Sequence, residues 1–254
     1  MPAFTIAVAG KGGTGKTTLT GLLIRYLTEK RKGPVLAVDA DANSNLNEVL
    51  GVECGETVGR IREDVADTAG SRPHGMSLYE YLDMRIAQAM VESKGFDLLV
   101  MGRPEGPGCY CAANNAIRKY TDYLQDSYPY IVTDNEAGLE HLSRETTQNI
   151  DLLLIISEPS VRGILTAGRV NGIVDELGLK VAKRVFILNR VNGAGLPEEL
   201  KETVEKQGLS LAGTVPVDDL ITQYDMQGTP LAKLPEESKA VAAFYKILDG
   251  LEIP

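Results

Sequence analysis

Residues 10–18 read Gly10-Lys11-Gly12-Gly13-Thr14-Gly15-Lys16-Thr17-Thr18, between an apolar run from Phe4 to Ala9 and a stretch of helical apolar spacing. A strand that enters a glycine-rich loop and leaves as a helix limits the fold sharply, because the loop forms where a buried strand ends and backbone N–H groups converge on a helix N-terminus. Gly10, Gly12, Gly13 and Gly15 let the backbone aim N–H groups, with those of Thr14 and Thr18, at phosphate oxygens. Lys16 would reach the outer phosphates, and the Thr17 hydroxyl can ligate Mg²⁺. The alternative is a glycine-rich turn that binds nothing, but the closing Lys-Thr pair in a strand–loop–helix setting favours a nucleoside triphosphate.

The remaining apolar pattern agrees. Strand-like runs recur at Phe4–Ala9, Val35–Val38, Phe96–Met101, Tyr130–Thr133, Leu152–Ile156, Val185–Leu188 and Leu211–Val215. They are mostly continuous rather than alternating, as in strands buried on both faces. Helical patterns lie between most of them, at Lys16–Glu29, Leu78–Ser93, Ala113–Leu124, Leu139–Gln148, Val161–Leu177, Pro197–Gln207 and Ser238–Asp249. The expectation is an α/β fold of the three-layer P-loop NTPase kind, a mostly parallel central sheet with helices on both faces, formed by residues 1–254 as one domain. The segment from Cys54 to Pro73 has no clear period and reads as a surface excursion.

A net charge of −9 without a lysine- or arginine-rich stripe argues against nucleic acid as a partner. No run is long enough for a transmembrane helix, and no signal-peptide pattern precedes the first strand, so membrane insertion is not expected and the location expected is cytoplasmic. Three cysteines do not read as a disulfide framework in that compartment.

In such sheets the chemistry lies beyond the carboxyl ends of the strands. Asp39-Ala40-Asp41-Ala42-Asn43-Ser44-Asn45 follows one strand and Asp134-Asn135-Glu136-Ala137-Gly138 another. Asp134 is placed to hold Mg²⁺ through its waters, and Gly138 would let its loop approach the γ-phosphate. Capping of a following helix is the competing duty of each aspartate. His141 is read as structural, since two histidines make a histidine-based metal site improbable.

Lys11 adds a second cation beside the phosphates. With it, the loop resembles the deviant Walker A ATPases, the family of nitrogenase iron protein, septum-site and plasmid-partitioning ATPases and metallocentre assembly factors. The resemblance implies that Lys11 crosses a homodimer interface to the partner's nucleotide. It implies that Asp41 orients the attacking water, with Lys11, Lys16 and Asp41 as the catalytic set, and that Asp39 supports the magnesium held by Thr17 and Asp134. It further implies that Asn189 hydrogen-bonds adenine, with Arg190 beside it and the Pro216–Asp218 segment closing over the ring. No aspartate follows Asn189 closely, as a guanine site would usually require, so ATP is favoured over GTP. Glu136 stands where metallocentre-assembly members have glycine and receives no role.

Gly106-Pro107-Gly108-Cys109-Tyr110-Cys111 narrows the reading. Two thiols one residue apart can face the same side of an extended segment and hold a soft metal, Ni²⁺ or Zn²⁺. Four ligands complete a tetrahedral site, which a twofold dimer would supply from two copies of Cys109 and Cys111. Buried apolar cysteines or an adjacent disulfide are the alternatives; Cys54, without partner spacing, reads as incidental. Together with Ala137-Gly138-Leu139-Glu140-His141-Leu142 and Asn189, the pair makes the chain similar to the nickel-insertion ATPases that mature carbon monoxide dehydrogenase and acetyl-CoA synthase. That resemblance implies an ATP-dependent metallochaperone whose client is one of those enzymes. An iron–sulfur reductase like nitrogenase iron protein is the alternative, weakened because Asp134–Leu142 contains no cysteine. A positioning or partitioning ATPase is another, weakened by a last helix with little positive charge.

Overall fold

A computed structural model describes residues 2–43, 45–67, 75–103, 119–136, 149–193 and 195–254. Among them eight strands form one sheet: β1 (Phe4–Gly10), β2 (Val35–Ala40), β3 (Val91–Ser93), β4 (Phe96–Val100), β5 (Tyr130–Asn135), β6 (Asn149–Ser157), β7 (Lys180–Val191) and β8 (Leu211–Pro216), in the order β3-β4-β2-β5-β1-β6-β7-β8. Every pairing is parallel except β3 with β4. Because β1 lies between β5 and β6 while its own connection leads to β2, strand order reverses around β1. The crevice at such a reversal, outside the carboxyl ends of the strands, is where ligands of open α/β sheets bind.

Helices cover both faces. Ile6, Val8, Val35, Ala37 and Val132 pack with α1 (Lys16–Tyr26) and the last helix, α8 (Lys239–Asp249), where Leu22, Leu23, Phe244 and Leu248 are fully buried. On the opposite face Ala7, Ala9, Leu153 and Ile155 pack with α5 (Val161–Glu176) and α6 (Glu198–Lys206). Farther along that face, Leu36, Val38, Leu99 and Ile131 meet α3 (Val58–Asp67) and α4 (Leu78–Ala89). Neighbouring residues of one strand thus enter different apolar layers, which is why the strands read as continuous apolar runs. The short α2 (Leu46–Leu50) follows β2, and α7 (Asp219–Met226) follows β8.

Three sequence expectations are corrected. Residues 58–67 are helical rather than an irregular excursion: Val58, Ile61 and Val65 form a buried stripe at helical spacing on an otherwise charged segment. The helix expected over Leu78–Ser93 ends at Ala89, and Val91–Ser93 turns back as β3 onto β4. Gly95, at φ +89°, supplies the left-handed residue that this tight reversal needs. The first helix is also shorter than expected, giving way after Tyr26 to a π-helical turn over Leu27–Arg31. Of the helix expected over Ala113–Leu124, residues 119–124 are helical; the remainder, and the helix expected over Leu139–Gln148, lie outside the described residues. Among the described residues no helix is long and apolar enough to cross a membrane.

Candidate nucleotide site

The loop between β1 and α1 sits at the strand reversal, and close packing fixes it from below. A Cβ on Gly10 would lie 2.2 Å from the carbonyl oxygen of Ile156 on β6, so any side chain there would force β1 and β6 apart. Gly15 is left-handed, at φ +87°, and a Cβ on it would lie 2.4 Å from Nδ2 of Asn189.

One carbonyl organises the loop interior. The Lys11 oxygen accepts from the Thr14 hydroxyl at 2.8 Å, the Thr14 N–H at 3.4 Å and the Lys16 ammonium at 3.3 Å. Lys16 is buried, whereas Lys11 is exposed at the loop rim. Burial lowers the Lys16 pKa, and the nearby carboxylates of Asp134, Asp41 and Glu136 oppose that shift.

The carboxylates converge as the strand ends dictate. Asp39 and Asp134 are register partners on β2 and β5, and both are buried. Asp134 accepts hydrogen bonds from Thr17 and from Thr20, whose hydroxyl lies 3.2 Å away and also contacts the Lys16 carbonyl at 2.9 Å. Burial pushes the Asp134 pKa up to about 6, against the pull of the Thr17 and Thr20 hydroxyls and Lys16. Burial likewise pushes Asp39 up to about 7; the nearby Asp134 and Asp41 add to the rise, and the backbone N–H groups of Leu46 and Asp41 oppose it. The Leu46 N–H, at 3.0 Å, belongs to the first residue of α2, so Asp39 does carry a helix-start duty. Asp41 is half-buried and accepts from the Asn43 N–H at 2.8 Å.

Thr17, Asp134 and Asp39 offer hard oxygen donors beside a phosphate loop, a donor set that fits Mg²⁺, which typically takes one or two carboxylates together with phosphate and water oxygens. When bound, the ion would neutralise charge on the β- and γ-phosphates. Thr20 was not anticipated, although its place one helical turn after Lys16 is visible in the sequence.

On the other flank, Asn189 and Arg190 near the end of β7 lie beside Pro216 at the end of β8, and Asp218 follows two residues later. Asn189 is buried; its Nδ2 donates to the Thr14 carbonyl at 2.8 Å and its Oδ1 accepts from the Arg190 N–H at 3.0 Å. Arg190 is left-handed, at φ +60°, and its guanidinium donates to the Gly13 carbonyl at 2.8 Å and lies 3.5 Å from Glu158. Pro216 pairs with Val191 at the strand ends. Asp218 accepts from the Leu220 N–H at 3.0 Å, the Ser238 hydroxyl at 2.6 Å and the Ala240 N–H at 3.0 Å, and so caps α7 and ties it to α8.

Cys109, Cys111, Gly138 and His141 lie outside the described residues. Cys54 packs at the edge of the apolar layer around α1, where burial raises its thiol pKa. Among the described residues no three histidine, cysteine, aspartate or glutamate side chains gather as a metal site.

Comparisons with known proteins agree with this geometry. Residues 5–231 match the CobQ/CobB/MinD/ParA nucleotide binding domain family. An uncharacterized ATP-binding protein of Methanocaldococcus jannaschii is 46% identical over 249 residues, covering 97% of each chain. The carbon monoxide dehydrogenase accessory protein CooC of Rhodospirillum rubrum is 31% identical over 238 residues, covering 88% of this chain and 87% of its own. The crystal structure of the cell division ATPase MinD of Pyrococcus furiosus superposes with a TM-score of 0.72 at 26% identity, covering 99% of both chains.

Proposed function

Because the chain belongs to the CobQ/CobB/MinD/ParA nucleotide binding domain family and is a P-loop ATPase, we propose that it is an ATP-dependent metallochaperone that binds nickel and assists its insertion into carbon monoxide dehydrogenase or acetyl-CoA synthase. The observation that carries this reading is the likeness to the CooC accessory protein over most of both chains, joined to the Cys109-Tyr110-Cys111 stretch. In this proposal residues 1–254 act as one ATPase domain in the cytoplasm. Mg–ATP occupies the loop at residues 10–18, with Thr17, Asp39 and Asp134 around the Mg²⁺. Asn189, Arg190 and the Pro216–Asp218 segment flank the adenine side.

Two copies then close on each other, Lys11 reaching the partner's nucleotide and Asp41 orienting the attacking water. Cys109 and Cys111 of both copies hold Ni²⁺, with Zn²⁺ as the competing ion, and hydrolysis resets the dimer. Such coupling requires ATP and metal to favour the same dimer arrangement, so each ligand should raise the affinity for the other.

The test is oxygen-free size-exclusion mass with metal content, Ni²⁺ being added with and without Mg–ATP, for the parent and for Cys109→Ala/Cys111→Ala. The proposal requires a dimer carrying one nickel per two subunits, lost in the variant while nucleotide binding stays intact. Wild-type metal stoichiometry in the variant would sink it. The likeness to MinD favours a second reading, a positioning or partitioning ATPase. ATP-dependent dimerisation without cysteine-dependent metal would favour that one.

A further inference from the structure

The end of β7 grips the phosphate loop from outside. Two successive loop carbonyls are held there: that of Gly13 by the Arg190 guanidinium at 2.8 Å, and that of Thr14 by Asn189 Nδ2 at 2.8 Å. No peptide bond of the described chain is cis, and in a trans peptide the N–H points opposite to the C=O. Holding the Gly13 oxygen outward therefore turns the Thr14 N–H inward, where it contacts the Lys11 carbonyl across the loop. Holding the Thr14 oxygen outward turns the Gly15 N–H inward in the same way. These are the donors a phosphate cradle uses.

Arg190 reaches this position through a left-handed backbone, φ +60°, a conformation that strains a side-chain-bearing residue. The turn is secured on both sides: the Arg190 N–H is bound to Asn189 Oδ1, and Glu158, just beyond β6, stands 3.5 Å from the guanidinium. A surface ion pair alone gives no reason for such a backbone. An outside clasp on the loop does.

We propose that Arg190, steadied by Glu158, is a positioning residue that acts on the phosphate loop rather than on the nucleotide: it holds the Gly13 carbonyl outward, so that the Thr14 N–H is kept on the inner side of the loop, bonded here to the Lys11 carbonyl, where a β-phosphate oxygen can take that carbonyl's place. The inference rests on the loop being a nucleotide site and is independent of any metal at the cysteines. A brace of this kind serves every ligand that carries a diphosphate and is indifferent to the base.

The experiment compares Mg-dependent binding of ADP and of inorganic pyrophosphate by calorimetry, for the parent, Arg190→Asn, Arg190→Lys and Glu158→Gln. Asparagine tolerates the left-handed backbone, so it removes the guanidinium without forcing the turn to change. Arg190→Asn should weaken ADP and pyrophosphate by the same factor, about tenfold or more for a lost charged hydrogen bond to the loop. Arg190→Lys should recover part of the loss, and Glu158→Gln should show a smaller one of the same pattern. Weakened ADP with unchanged pyrophosphate would make Arg190 a base or ribose contact and overturn the proposal, as would unchanged binding of both. Failure of the parent to bind either ligand would instead strike the nucleotide assignment itself. If Arg190→Asn fails to fold, Glu158→Gln carries the same comparison on an unaltered backbone.

Discussion

Asp39 on β2 and Asp134 on β5 are register partners on adjacent parallel strands, so their carboxylates leave the same face of the sheet side by side, both buried. Burial favours their neutral forms, raising Asp39 to about 7 and Asp134 to about 6. In the unfolded chain both ionise near 3.8. The folded nucleotide-free protein therefore binds these protons more tightly than the unfolded chain does. Its stability from this pair should fall as pH rises from about 4 to about 7. Binding of Mg–nucleotide needs the ionised forms and has the opposite slope. Mg–ADP affinity should strengthen by up to about tenfold per pH unit per proton released as pH rises from 6 to 7. Calorimetric titrations at several pH values in buffers of different ionisation heat count the released protons, and a flat profile with no release would refute the account. Asp39→Asn should flatten both slopes.

Gly15→Ala should damage the loop in two separable ways. The left-handed backbone at φ +87° costs an alanine about 1–2 kcal/mol, and the new methyl would strike Asn189 Nδ2, displacing it from the Thr14 carbonyl. Urea denaturation should show at least that loss of stability, and ADP binding should weaken by about tenfold or more, as for a lost buried hydrogen bond. Adding Asn189→Ala should relieve the collision but not the backbone strain, so the double variant should be less destabilised than the sum of the single ones. Strict additivity would mean that the two residues do not meet.

The phosphate loop was legible because glycine spacing, Lys16 and Thr17 are consequences of backbone geometry that one short segment carries by itself. The buried strands were legible for a similar reason: a strand covered on both faces, such as β5, must be apolar at nearly every position. Asp39 and Asp134 could be proposed from their places after apolar runs, but their adjacency depends on β2 and β5 being neighbours, a long-range pairing that no local pattern encodes. Thr20, Glu158 and the clasp of Arg190 on Gly13 share that origin. At 58–67 the difficulty differed, since three apolar residues among charged ones suffice for a helix that buries only a narrow stripe.

That stripe is testable. Ile61 is fully buried one helical turn after Val58, which packs in the layer containing Val38 and Leu99, so Ile61→Ala should destabilise the protein by about 2–5 kcal/mol. The neighbouring exposed Arg60→Ala should shift stability by less than about 0.5 kcal/mol. Equal small effects in denaturant titration would mean that residues 58–67 do not pack as α3.

Asp218 separates a structural duty from a ligand contact. Burial by itself would raise its pKa, but hydrogen bonds from the Ser238 hydroxyl and the Ala240, Leu220 and Lys239 N–H groups outweigh that and hold it below the ordinary 3.8. A depressed carboxylate stabilises the fold fully above its unfolded value, and that stabilisation is lost as pH falls through the folded value. Asp218→Ala removes the cap of α7 and the tie to α8 together, so it should lower stability at pH 7 by about 2–4 kcal/mol. The difference from the parent should shrink below about pH 4. Under conditions where the variant remains folded, ADP affinity should change by less than about threefold, under about 0.7 kcal/mol, because the carboxylate is already committed to the Ser238 hydroxyl and the Leu220, Lys239 and Ala240 N–H groups. A loss of ADP affinity larger than that, with stability unaffected, would instead place Asp218 on the nucleotide.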